Sequence, residues 1–363
     1  MDSICIYPGP HSEKLSVEHY MPEALGRFTG MDPLRDRICS ECNRSLGSRI
    51  ETQFLRAGPT GFFRWMIGVQ GKNGLSPARP FYNRAAGAEP LYMMGRVEGL
   101  PCDLYWEADP GSEDVYPLRQ IIFDHPIAGS HAIPILAKMQ DNPNALLDFL
   151  REKGLEHAIP VRLIASSEEI PWLESLVRAL GYEPPGNWTE LELSPQRIQL
   201  IVTTHATSAY FRAVAKIAFH YVLKMEPDLT GHEQEFDAIK RYIWEDESSE
   251  QNPSRFVKQL SHQFISNFNR GLRFINWTHV LAVERGGGHI TAHAQFFAGP
   301  RSLPPPYQIS IGPDPSSIIK RPRRSAHLYV ILSAGPDQVP TGIMDDANPV
   351  NHILVPRLRS GAI

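Results

Sequence analysis

The chain of 363 residues is 42% hydrophobic with a formal charge of -4, so it can form two or three domains and has no overall attraction for nucleic acid. It has no apolar run near the ~18 residues of a membrane span and no secretory signal pattern, which predicts a soluble, cytoplasmic protein without membrane contact. Four cysteines are too few and too unevenly spaced for a disulfide framework.

The first predicted unit spans residues 1–56 and contains three of the four cysteines. The stretch LSVEHY, residues 15–20, alternates in polarity and predicts a short strand. Residues 43–56 predict a helix, because apolar side chains recur at every fourth position on one face. That face consists of Leu46, Ile50 and Phe54. Gly47 inside this helix costs about 1 kcal/mol relative to Ala, so metal binding or packing must hold the helix in place.

The rest of the chain predicts two further segments. Residues 57–130 are rich in Gly and Pro, and their short apolar runs predict strands joined by loops. Residues 131–363 alternate between helix and strand patterns, which predicts a larger mixed α/β domain and an α+β protein overall. The predicted helices span residues 142–154, 168–181, 208–225 and 233–245. The helix over 208–225 is expected at the centre of the core, and Gly286 to Gly288 predict the turn of a β-hairpin.

The cysteines near the start of the chain predict a zinc site. Cys39 and Cys42 present two thiolates one turn apart, a spacing that suits tetrahedral zinc and normally needs a second pair of ligands. Cys5 can supply a third ligand, but Pro8 stands where another cysteine would complete the site. His11 can supply the fourth ligand through a neutral imidazole nitrogen. The alternative is that the metal has been lost and that the cysteines are small buried hydrophobic residues.

A second group of polar residues in the same segment predicts metal-assisted hydrolysis. Glu18 and His19 are adjacent at the end of the predicted strand, where a carboxylate can hold Mg²⁺ while an imidazole deprotonates water. Asn43 can hydrogen-bond the loop that positions the histidine. Glu51, two helical turns after Asn43, is the next acid that can face the same metal ion.

The motif residues of this segment follow one another in a fixed order. They are Cys5, Glu18-His19-x-x-Pro22, Leu25-Gly26, Cys39-x-x-Cys42-Asn43, Gly47, Ile50 and Glu51. Over about the first 56 residues, this order resembles the HNH endonuclease family, in the subgroup with the pattern EHIIP…LGG…C-x-x-CN…G…I(D/E). Several matches in the right order make the resemblance more specific than a lone EH or CxxC.

The resemblance implies a ββα-metal fold in which a hairpin and a helix surround one divalent ion, Mg²⁺ or Mn²⁺, and hydrolyse DNA phosphodiesters. Carried over by position, His19 is the general base and Asn43 the orienting residue. Glu18 and Glu51 are the metal-side acids, although the third residue of the HNH name has no histidine here. A structural Zn²⁺ is implied at Cys5, His11, Cys39 and Cys42.

Two departures from the family pattern concern activity. Pro8 replaces a cysteine, and the sequence reads LGR where the subgroup has LGG. Arg27 in this loop can clamp a DNA phosphate, or it can be an ordinary exposed arginine.

The leading prediction is an HNH-type endonuclease whose C-terminal part positions substrate, binds a regulatory ligand or protein, or controls cutting. The alternative is a degenerate HNH fold that serves as a zinc-stapled nucleic-acid-binding or structural module.

Other polar stretches carry weaker predictions. The basic run KRPRR, residues 320–324, can follow a phosphate backbone or can simply be a solvated loop. His289 and His293 share one face of a predicted strand, but two histidines without a third ligand predict no metal site.

Overall fold

The structure is a computed structural model of the chain. It describes residues 5–9, 11–12, 14–26, 28, 31–56, 58–69, 81–84, 87–90, 93–97, 99–108, 115–140, 142–184, 199–202, 206–245, 255–260, 277–299, 304–316, 323–331 and 350–353. Arg27 and residues 320–322 of the basic run lie outside this set, as do residues 190–198 and 203–204 of the strand that the pattern ELELSPQRIQLIVTT (190–204) predicts.

The chain divides into two compact units. One unit contains residues 1–90 and 204–363, and the other contains residues 91–203. The segment 1–56 therefore shares a unit with residues 204–363, so the predicted divisions at residues 56 and 130 differ from the unit boundaries. Each unit combines helices with mainly antiparallel sheets, as expected for an α+β protein.

The first unit begins with two strands and a helix in the order ββα. Strands β1 (Leu15–Glu18) and β2 (Leu34–Cys39) pair antiparallel. The helix starts directly after β2 and runs as α1 (Ser40–Leu46), a π-helical turn (Gly47–Glu51) and α2 (Thr52–Arg56). It begins three residues before the predicted start, because the side chain of Cys39 caps it by accepting a hydrogen bond from the backbone N–H of Cys42.

The predicted apolar face of this helix is confirmed. Leu46, Ile50 and Phe54 are completely buried. The backbone N–H of Thr52 bonds the carbonyl of Gly47, five residues earlier, and its hydroxyl donates to the same carbonyl over 3.1 Å. These bonds define the π-helical turn that ends at Glu51.

The largest sheet of the first unit has the strand order β12-β15-β14-β13-β16-β17. Its strands are β12 (Val257–Gln259), β13 (Trp277–Gly286), β14 (His289–Ala298), β15 (Tyr307–Pro313), β16 (Arg323–Ile331) and β17 (Val350–Ile353). Neighbours are antiparallel except β16 and β17. The predicted hairpin is confirmed, because Gly287 and Gly288 form the β13–β14 turn with φ values of 64° and 74°. Glycine adopts this left-handed conformation without steric cost.

Helix α7 (Ser208–Met225) has the predicted bounds, and Thr207 caps it by accepting a hydrogen bond from the N–H of Tyr210. The sequence predicts one broad apolar stripe on this helix, formed by Phe211, Val214, Ala215, Ala218, Tyr221, Val222 and Met225. This stripe accounts for only part of the helix's burial. Arg212, Lys216 and His220 are buried as well, because α7 contacts the large sheet on one side and the helix over residues 40–56 on another.

In the part of the chain that the structure describes, no helix combines the length and apolar character needed to cross a membrane.

Shorter elements complete the first unit. They are a 3-10 helix (Glu23–Leu25), α3 (Gly58–Ile67), β3 (Phe81–Arg84), β4 (Gly87–Pro90), a 3-10 helix (Gln234–Phe236) and α8 (Asp237–Trp244). One continuous apolar core joins the N-terminal segment, α7, α8 and the large sheet.

Within its described residues, the second unit has two antiparallel sheets and three helices. One sheet has the order β11-β5-β6-β7 and the other β10-β8-β9. The elements are β5 (Met93–Arg96), β6 (Leu104–Ala108), β7 (Val115–Pro117), β8 (Gln120–His125), β9 (Gly129–Pro134), α4 (Ala137–Gln140), α5 (Pro143–Glu152), β10 (Ile159–Ile164), α6 (Ile170–Ala179) and β11 (Gln199–Val202). The predicted helices over 142–154 and 168–181 are confirmed as α5 and α6.

A buried histidine links the N-terminal segment to the large sheet. His279 on β13 accepts a hydrogen bond at Nδ1 from the backbone N–H of Phe297 (3.1 Å). Its Nε2 therefore carries the proton and donates to the carbonyl of Leu25 (3.2 Å). Burial lowers the pKa of His279 to about 4, against a smaller opposing effect of the Leu25 carbonyl. The folded protein thus holds this ring neutral.

We expect stability to fall as the pH drops from about 6.5 towards 4. In this range the unfolded chain binds a proton at position 279 while the folded chain does not, and the difference reaches about 3 kcal/mol. The check is urea unfolding of the wild type and His279→Gln at several pH values. The variant should lose this part of the pH dependence. If the free energy of unfolding changes with pH equally in the two proteins, the ring of His279 is not held neutral by the fold.

Candidate metal site and buried ion network

Four metal-ligating side chains meet beside the start of the helix over residues 40–56. Cys5 and His11 come from the beginning of the chain, Cys39 ends β2 and Cys42 lies in the first turn of α1. Their ligand atoms all lie within 4.8 Å of one another. The predicted set of four donors is therefore confirmed as a cluster that could hold a metal ion such as zinc, and the cysteines form no disulfide.

Backbone N–H groups point at the sulfur atoms of this cluster. The N–H of Cys39 donates to Cys5 Sγ and the N–H of Cys42 donates to Cys39 Sγ, each over 3.4 Å. Burial by itself raises the pKa of Cys39, but the Cys42 N–H and further bonds involving Ser12 and His11 lower it to about 6. Metals bind the thiolate, so these bonds prepare Cys39 as a ligand.

The donor types and the donor separations of the cluster are compatible with zinc. Three sulfurs and one imidazole nitrogen match a common structural zinc set. Bonds of about 2.3 Å to sulfur at tetrahedral angles place the sulfur atoms about 3.8 Å apart. The observed separations reach at most 4.8 Å, so the donors need to close by about 1 Å. His11 Nδ1 is 3.9 Å from Cys42 Sγ, and His11 is the exposed member of the set.

The adjacent residues Glu18 and His19 have different surroundings, because side chains at successive positions of an extended chain point to opposite sides. The Glu18 side chain is buried in the core. The His19 ring is 34% exposed, and its Nε2 lies 3.6 Å from Glu23 Oε1. The structure thus separates the predicted general base from the acid that precedes it.

Both predicted metal-side acids bind the same lysine. Lys216 on α7 donates hydrogen bonds from its ammonium to Glu18 Oε1 and to Glu51 Oε1. Only 1% of the Lys216 side chain is exposed, compared with 8% for Glu18 and 17% for Glu51. Glu51 reaches the lysine from the π-helical turn, while Glu18 reaches it from the end of β1. A buried ion network therefore joins the N-terminal segment to α7.

The ion network is extended by a histidine and a tyrosine. His220, one turn after Lys216 on α7, has its Nδ1 3.7 Å from Glu18 Oε1, which is too far for a hydrogen bond. Its Nε2 is hydrogen-bonded to the hydroxyl of Tyr7 (2.8 Å). Burial lowers the pKa of His220 to about 4, so the ring is neutral at pH 7.

The lysine keeps the network ionised. Burial by itself raises the pKa of Glu18, but the combined effects of the Lys216 ammonium and of the nearby His220 ring lower this pKa to about 2. Burial likewise opposes the charge on Lys216, and the two carboxylates raise its pKa above the usual value. At neutral pH the centre therefore consists of two carboxylates around one ammonium group.

The two acids do not fit Mg²⁺ as they stand. This ion requires near-octahedral oxygen coordination at about 2.1 Å and usually retains several water molecules. Lys216 lies between the two carboxylates, so a hydrated ion at the same place would have to displace a buried ammonium group of the same sign of charge.

The remaining predicted site residues are spread over the same segment. Asn43 is half-buried in α1, and within the described residues its side chain forms no hydrogen bond to Glu18, Glu51 or His19. Pro8 is exposed near the Cys/His cluster. Arg27, the predicted phosphate contact, lies outside the described residues.

Sequence reasoning missed three further members of the ion network, namely Lys216, His220 and Tyr7. Lys216 and His220 are four positions apart and therefore share one face of α7, outside the predicted apolar stripe. The four-residue spacing was the sequence signal that these two polar side chains lie together. On a helix, however, a polar face usually lies in solvent.

Comparisons with known proteins add no relative. No protein-family model, curated protein or solved structure matches the chain. The function therefore has to be argued from the Cys/His cluster, from the ion network around Lys216 and from the resemblance of the motif residues to HNH nucleases.

Proposed function

We propose that the N-terminal segment is a zinc-stapled, HNH-like module that binds DNA without cutting it. The observation that carries this proposal is the position of Lys216 between Glu18 and Glu51. In a metal-dependent nuclease, a divalent ion polarises the phosphate and stabilises the leaving oxygen. Here the two acids expected to hold that ion already bind the ammonium group of a buried lysine.

A zinc ion is the metal that suits the four clustered donors. Three cysteines and a histidine form a closed set without an open coordination position, which is typical of structural zinc. The ion would tie the chain start, through Cys5 and His11, to the end of β2 and the first turn of α1. It would thereby hold a helix that contains the unfavourable Gly47.

DNA is the partner that the HNH resemblance implies. The segment 1–56 carries seven Lys or Arg and eight Asp or Glu residues. Two of these acids, Glu18 and Glu51, bind Lys216 internally, and its ammonium group compensates one of their two charges. Exposed basic residues such as Lys14, Arg35 and Arg44 are therefore available for short-range phosphate contacts, without strong long-range attraction.

The second candidate function is an active HNH endonuclease. Two observations favour it: Glu18 and Glu51 converge on one point although they come from different elements, and the His19 ring is partly exposed. For this function to hold, Lys216 would have to leave the acids when the metal and substrate bind.

A plasmid assay tests the two functions against each other. We expect zinc-loaded protein to leave supercoiled plasmid intact in Mg²⁺ or Mn²⁺, and to shift DNA in native gels with a dissociation constant of about 1–100 μM that rises with salt. His19→Ala should leave the DNA shift unchanged. Nicking by the wild type that His19→Ala abolishes would establish the endonuclease instead. A protein that neither cuts nor shifts DNA would refute both candidates.

A further inference from the structure

We infer that the Lys216 ammonium is a built-in counter-ion that takes the place of a divalent cation, and that removing it creates a divalent-cation site formed by Glu18, Glu51 and His220. The inference deepens the proposed function, since it gives the reason why the module does not cut. The ligand class is a hard or borderline divalent ion such as Mn²⁺ or Mg²⁺.

The carboxylates of Glu18 and Glu51 converge on one point. Glu18 lies at the end of β1 and Glu51 at the end of the π-helical turn, yet one carboxylate oxygen of each contacts the same nitrogen atom. Two carboxylates that approach one point from separate elements form the kind of oxygen pair that divalent cations bind. At present that point is the Lys216 Nζ.

An imidazole nitrogen faces the same centre. Among the residues that the structure describes, the buried His220 Nδ1 has no hydrogen-bond partner, and it lies 3.7 Å from Glu18 Oε1. The other ring nitrogen is hydrogen-bonded to the Tyr7 hydroxyl, which holds the ring in this orientation. A hydrogen bond to the other ring nitrogen is what orients the histidines that bind metals in proteins. His220 can therefore act as a third ligand once the lysine is absent.

The charges of Glu18, Glu51 and Lys216 do not balance. The two carboxylates carry two negative charges, and Lys216 compensates only one of them. A divalent ion would compensate both, so it is electrostatically suited to the centre if the ammonium group is removed. With Lys216 present, the ion would meet a fixed positive charge at hydrogen-bond distance from the same oxygens.

The experiment measures Mn²⁺ binding to zinc-loaded wild type, Lys216→Ala and Lys216→Ala/Glu51→Gln, using the electron paramagnetic resonance signal of free Mn²⁺. The thiolate-rich cluster prefers zinc over Mn²⁺, so it stays filled with zinc. We expect about one bound Mn²⁺ per chain for Lys216→Ala, with an affinity at least about tenfold higher than for the wild type or for the double variant.

Each outcome decides the inference. Equal Mn²⁺ binding by wild type and Lys216→Ala overturns it, as does equal binding by Lys216→Ala and Lys216→Ala/Glu51→Gln. If Lys216→Ala does not fold without added metal, Mn²⁺-dependent refolding that Glu51→Gln blocks supports the inference, and failure to refold in Mn²⁺ overturns it. DNA is absent from this assay, so its result is independent of whether the wild type cuts or binds DNA.

Discussion

Lys216→Met is expected to lower the free energy of unfolding by about 3–5 kcal/mol, which is the usual cost of removing one partner from a buried ion network. Methionine keeps most of the length of the lysine side chain and removes its charge. Glu18 and Glu51 would then face each other in the core without a cation. Since folded domains are stable by only about 5–15 kcal/mol, this single change would remove a large share of the total.

The control for charge removal is the triple variant Glu18→Gln, Glu51→Gln and Lys216→Met. It replaces all three charges by neutral side chains of similar size, and we expect it to lie within about 2 kcal/mol of the wild type. The control for the helix is Lys224→Met. Lys224 also lies on α7, but it pairs with the exposed Asp32 over 3.6 Å, so its loss should cost less than about 1 kcal/mol.

The measurement is urea unfolding at pH 7 with stoichiometric zinc and no other divalent cation. Equal stability of Lys216→Met and Lys224→Met would contradict a buried, charge-compensated lysine. A triple variant as unstable as Lys216→Met would show that shape, and not charge, determines the effect.

Local sequence patterns were sufficient for many elements of this fold. The four-residue spacing of Leu46, Ile50 and Phe54 identified the buried face of the first helix, and the three glycines after Arg285 identified the hairpin turn. The Cys-x-x-Cys spacing, with Cys5 and His11 upstream, identified the cluster of metal ligands. In each case the responsible interactions are close in sequence, or the residue type has few alternative roles.

The ion network could not be predicted in this way. Lys216 lies 198 positions from Glu18 and 165 positions from Glu51. Helical periodicity shows which residues share a face, but it does not show that a second layer of structure covers that face. The same limitation affects the domain boundaries, because the first unit is completed only when the chain returns at residue 204. Both features depend on long-range contacts that no local pattern encodes.

Loss of zinc is the second large effect that we expect. Cys42→Ser should lower bound zinc from about one ion per chain to near zero and should destabilise the protein by several kcal/mol, since structural zinc sites contribute directly to folding. The segment also contributes to the apolar core around α7, so part of its structure should remain without the metal. We therefore expect a lower melting temperature and a loosened first helix, and not a fully unfolded chain.

Cys102→Ser is the matched control for this prediction. Cys102 is a buried thiol that lies outside the metal-ligating cluster, so its replacement should leave the zinc content unchanged and cost about 1–2 kcal/mol. Zinc is counted by elemental analysis, and stability is followed by thermal unfolding with and without a chelator. The chelator should lower the melting temperature of the wild type and of Cys102→Ser by several degrees, but should not affect Cys42→Ser. If zinc is absent from the wild type and both serine variants behave alike, Cys39 and Cys42 are simply buried hydrophobic residues.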